Sequence, residues 1–141
     1  MQDPKLAMSV ARARIALGIA AMVAPGLATR VMGGKRPRDE MAPLFARMLG
    51  ARDVALGLGT LIALDQGKPV RGWLEGSALA DTADWISCVL ARNDMSPTAF
   101  RAAFGLGGAF ALVDVYLSRR LDPPPPPQPG QPEAAATGHS L

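Results

Sequence analysis

The stretch LGARDVALGLGTLIAL, Leu49 to Leu64, sets Arg52 and Asp53 side by side at the head of an apolar run. Charge at such a place is costly unless a neighbouring element offsets it. What precedes and follows the stretch decides what that element is. Ala, Gly, Leu, Val and Met dominate the chain, aromatics make up only 5% of it, and runs of β-branched residues are missing. Helix is therefore the natural state of the apolar segments, and an all-α fold is expected.

Four such segments occur, at about residues 11–32, 43–64, 73–91 and 97–118, each near the ~20 residues that cross a bilayer. The connectors GGKRPRDE (33–40), DQGKPVRG (65–72) and RNDMS (92–96) carry Gly, Pro or Asn and interrupt the helices. Connectors this short make sequential helices antiparallel neighbours. The expected architecture is a four-helix transmembrane bundle over residues 1–120, followed by a disordered, Pro-rich tail over 121–141, where LDPPPPPQPGQPEAAATGHSL offers little to bury.

Phe45, Trp73, Phe100 and Tyr116 fall near segment ends, where amphipathic rings meet a membrane interface. In outline the first segment also resembles a secretory signal ending at Ala28. The simpler reading is that Pro25 ends or kinks a retained helix, with GLATRVMGG lying along the interface. Basic residues in the connectors, the termini and the ends of the first span divide seven to five in favour of both termini inside, and the expected location is the cell membrane, crossed several times.

The chemistry that the sequence excludes is broad. One cysteine, Cys88, forbids an internal disulfide, and one histidine, His139, leaves no metal-ligand cluster. Phosphate loops and nucleophile elbows are absent as well, so neither catalytic residues nor a cofactor are expected. A net charge of +3 and a pI near 9.6 could suit nucleic acid, but the basic residues are dispersed and lack a stacking platform. They suit the rims of membrane helices better, with Lys35, Arg36 and Arg38 near lipid phosphate. Expected partners are membrane lipid and, through exposed helix faces, a membrane-protein partner or a second copy.

Three segments share a pattern: RIALGIAAMVA (14–24), DVALGLGTLIA (53–63) and RAAFGLGGAFA (101–111) each read charge, x, Ala, large apolar, Gly. Small residues at helical spacing let helix backbones approach closely in lipid, which makes Gly18, Gly50, Gly57 and Gly105 the expected packing positions. With the upstream LGIAAMVAP and the downstream ADTADW, the run RMLGARDVALGLG resembles a family of small four-helix membrane proteins from bacteria and fungi, grouped as a domain of unknown function. The likeness covers roughly residues 10 to 118. Its most specific part is RxxGxRDxxLG, here Arg47, Gly50, Arg52, Asp53, Leu56 and Gly57. In arrangement the chain also resembles, more distantly, the DoxX-like four-helix membrane proteins. The resemblance implies a fold and no activity.

In the second segment, nine Leu, Ile, Val and Phe residues each favour insertion by about 0.3–0.6 kcal/mol, while Arg47, Arg52 and Asp53 each oppose it by up to about 2.5–3.5 kcal/mol near the centre. The two sums are comparable, with charge ahead, so partners are needed. Ser77, Asp81, Asp84 and Cys88 recur every three or four residues and form one polar helical face. A hairpin of segments two and three would bring Arg52 and Asp53 within reach of Asp81 and Asp84. Arg14, Arg101 and Asp114 are expected nearer an interface. The cluster Arg47, Arg52, Asp53, Asp81 and Asp84 then has two readings: an ion network that holds the bundle of an interaction or accessory protein, or a proton-linked ligand site at Asp81 and Asp84.

Overall fold

A computed structural model describes residues 3–32 and 41–121. The described chain is all-α, with no strand. Its helices are α1 (Asp3–Val23), α2 (Pro25–Met32), α3 (Ala42–Asp65), α4 (Arg71–Leu90) and α5 (Pro97–Leu121). The expected Pro-rich tail, apart from Leu121 at the end of α5, and the basic loop residues Lys35, Arg36 and Arg38 lie outside the described residues.

The first apolar segment differs from expectation at its start and breaks at Pro25, where a stop or kink is expected. It begins at Asp3 rather than near residue 11, because Pro4 occupies a first-turn position, where its missing N–H costs nothing. It stops at Val23, and the chain restarts at Pro25 as the short α2. Proline can begin that helix but could not donate a backbone bond within a continuous one.

The four long helices run antiparallel in succession and associate as two close pairs, α1 with α3 and α4 with α5. Glycine makes the first pair possible. A methyl group on Gly18 would lie 2.5 Å from the Gly50 carbonyl oxygen, and one on Gly50 would lie 2.5 Å from that of Gly18. Gly57 is similarly closed by the Ala11 carbonyl and the Ile15 side chain. These three expected packing positions therefore sit at backbone-to-backbone contact.

Gly105 does not: it is exposed, and nothing lies within 4 Å of where its Cβ would be. The α4–α5 seam is held apart by rings instead, with Trp85 and Phe104 centroids 4.7 Å apart and Phe100 a further 5.3 Å along. Gly108 rather than Gly105 faces Trp85. Gly59 is covered by the Trp73 ring and brings α3 against the start of α4.

A small apolar cluster of Ala7, Ala63, Val70, Leu74 and Leu117 closes one end of the bundle. Elsewhere the usual distribution is inverted. Twenty large apolar side chains are exposed among the described residues, including Leu79 at 72%, Leu112 at 74% and Leu90 at 80%. The buried hydrophobic residues are mainly alanines, and Arg14, Thr60, Ser77, Asp81, Asp114 and Ser118 are buried with them.

Candidate functional site: a six-residue ion network beside a cavity

Arg14, near the middle of α1, is only 4% exposed and lies at the centre of the site. Its Nη1 donates to Asp81 Oδ1 at 3.0 Å and its Nη2 to Asp81 Oδ2 at 2.5 Å, a two-point grip on α4. The same Nη2 donates to Asp114 Oδ2 on α5 at 2.7 Å, while Nη1 reaches Asp53 Oδ1 on α3 at 3.4 Å. The guanidinium carbon also stands 5.0 Å from the Phe110 ring centroid. One side chain thus ties all four long helices together. The planar fork of arginine suits this task because its donors point outward at fixed angles toward several carboxylates.

The network continues outward through Asp53. Its Oδ1 accepts from Arg52 Nη2 at 3.0 Å and Nε at 3.3 Å. Arg52 in turn grips Asp84 at two points, Nη1 to Oδ1 at 3.0 Å and Nη2 to Oδ2 at 2.6 Å. The side chains at this outer end are 25–40% exposed, compared with 2–8% for the pairs that Arg14 makes with Asp114 and Asp81. Among the described residues no buried side-chain polar atom is left without a hydrogen-bond partner.

Of the five sequence-predicted residues, four meet here and one does not. Arg47 is exposed and its Nε donates to the Met22 carbonyl oxygen at 3.4 Å, a link between α3 and the end of α1. It sits in the first turns of α3, too far along the helix to reach the carboxylates. Two participants expected nearer an interface, Arg14 and Asp114, are instead among the most buried residues. Their helices run further than the apolar spans suggested, which moves both inward along the axis. Arg101 is exposed.

Beside the network lies a cavity of about 240 Å³, to which all five helices contribute. Arg14, Arg52, Asp53, Asp81 and Asp84 form its polar side, and Leu17, Leu49, Leu106 and Phe110 are among its apolar lining. Cys88, half-buried on the same stripe of α4 as Asp84, also borders it. No group of three His, Cys, Asp or Glu side chains among the described residues converges in a way that would hold a metal ion.

Among the described residues two helices, Asp3–Val23 and Pro97–Leu121, are long and apolar enough to cross a membrane. Comparison of the chain with protein-family models, with curated proteins and with solved structures found no match.

Proposed function

We propose that the protein is a small integral membrane protein whose four long helices all cross the bilayer, and that its intramembrane ion network locks them into one bundle. The observation that carries this reading is the inversion of the burial pattern: large aliphatic side chains point outward, while an arginine and two aspartates are enclosed. In water such a surface would expose apolar area far beyond a single patch, whereas lipid tails solvate it without cost.

The helices α3 and α4 are too charged to insert alone. Their mid-helix charges, Arg52, Asp53, Asp81 and Asp84, belong to the network, and pairing offsets the penalty that each would meet in hydrocarbon. The motif around Arg52 then acquires a physical meaning: Gly50 and Gly57 admit α1, Asp53 accepts from Arg14 of α1, and Arg52 holds α4 through Asp84. An accessory or interaction role, with exposed helix faces open to a partner or a second copy, fits a network that spans all four long helices better than catalysis does.

Membrane extraction tests the proposal. The chain should remain in the pellet through carbonate washing and leave it with detergent. Recovery as a monodisperse monomer without detergent would overturn it.

A further inference from the structure

The network contains four carboxylates and two guanidiniums, and the imbalance falls on the cavity side. Arginine has five N–H donors. Arg52 commits donors from all three of its nitrogens to Asp53 and Asp84, and both terminal nitrogens of Arg14 are engaged by carboxylates. On the acceptor side, three of those hydrogen bonds converge on Asp53 Oδ1, and none among the described residues falls on Asp53 Oδ2. Since no buried polar side-chain atom lacks a partner, Oδ2 is an accessible atom on a residue that lines the cavity. Asp84, 40% exposed, stands on the opposite side of Arg52. The cavity therefore presents spare acceptor capacity and surplus negative charge.

We propose that this cavity binds a compact monovalent organic cation, an amine with an apolar body, whose ammonium group donates to Asp53 and lies within the field of Asp84. The assignment rests on the membrane reading above, because the low dielectric of a bilayer makes compensation of surplus carboxylate charge worth far more than in water. Leu17, Leu49 and Leu106 receive the apolar body, and a volume of about 240 Å³, below the ~300–1,000 Å³ of drug-sized sites, sets its size. An anion of the same shape is rejected. It would add to the existing excess of negative charge and find most of the arginine donors already engaged.

Three probes that share a phenyl body separate these terms: phenethylammonium, 2-phenylethanol and 3-phenylpropionate, titrated calorimetrically into the full chain in detergent micelles. Saturable one-to-one binding of phenethylammonium is expected, at least tenfold weaker for the alcohol and absent for the carboxylate. Asp53→Asn should weaken phenethylammonium by tenfold or more, and Ala103→Leu, which fills the cavity without touching the network, should abolish binding while the thermal transition is kept. Should Asp53→Asn fail to fold, Ala103→Leu and the order of the three probes decide. Equal affinity for all three, tighter binding of the carboxylate, indifference to Ala103→Leu, or no binding of phenethylammonium would overturn the assignment. A chain that stays in the carbonate-washed pellet yet binds no amine refutes the cavity assignment alone; one that leaves the pellet refutes the membrane reading.

Discussion

At one end of the bundle, Leu74 and Leu117 pack with Ala7, Ala63 and Val70 into a closed apolar plug. Toward the other, the helices part around a cavity, and Arg52 and Asp84 are partly open to it. Between the two lies Arg14, buried although it borders the cavity. The contrast teaches that this protein divides its charges by depth of enclosure. The Arg14 end of the network holds four helices where water cannot compete for its donors, whereas the Arg52 end links only α3 and α4 and keeps surface for something else.

Arg14→Gln breaks the enclosed end and is the largest expected effect. It strands Asp81 and Asp114, and a loss of about 3–5 kcal/mol is expected, seen as a steep fall or absence of the thermal transition in detergent. A variant that melts with the wild type would show that the carboxylates do not depend on Arg14 for compensation.

Backbone contact comes next. Gly18→Ala drives a methyl into the Gly50 carbonyl, and about 1–3 kcal/mol should be lost as α1 and α3 separate. Gly105→Ala, which meets open space, should be neutral or gain up to about 1 kcal/mol from helix propensity. Similar losses from both would mean that α5 is covered by another molecule at Gly105.

Arg52→Gln sharpens the comparison with the smallest effect, about 0.5–1 kcal/mol, because its pairs are partly exposed. Combined with Asp84→Asn it should be non-additive, since each change removes the same contact. A loss as large as that of Arg14→Gln would erase the distinction between the two ends.

Much of this arrangement was legible beforehand. The spacing of Gly18, Gly50 and Gly57 marks close packing because only a missing Cβ allows two backbones to touch, and the polar stripe Ser77, Asp81, Asp84 and Cys88 marks a face that needs partners. The centre of the network was not legible, for a reason of helix length. Lys5 and Arg12 make the first ten or so residues look like a charged flank, so Arg14 reads as a rim residue. Both are exposed on a helix that already began at Asp3, and the Asp3–Pro4 pair was the available signal. Asp114 was misplaced likewise, since α5 continues to Leu121. Gly105 failed because a shared sequence pattern says which helix is Gly-rich but not which way a given glycine faces. That was decided by Trp85 and Phe104.

The separation of Arg14 from its partners along the chain bears on how the protein is made. Asp53, Asp81 and Asp114 follow it in synthesis, the last by 100 residues. At about 5–20 residues per second, that interval is roughly 5–20 s. On the membrane reading, α1 must enter that interval with an unpaired guanidinium near its middle, a load of about 2.5–3.5 kcal/mol against insertion. The residue that fastens the finished bundle is thus the one that most hinders its assembly, and the first helix gains its full complement of partners only when the last one arrives.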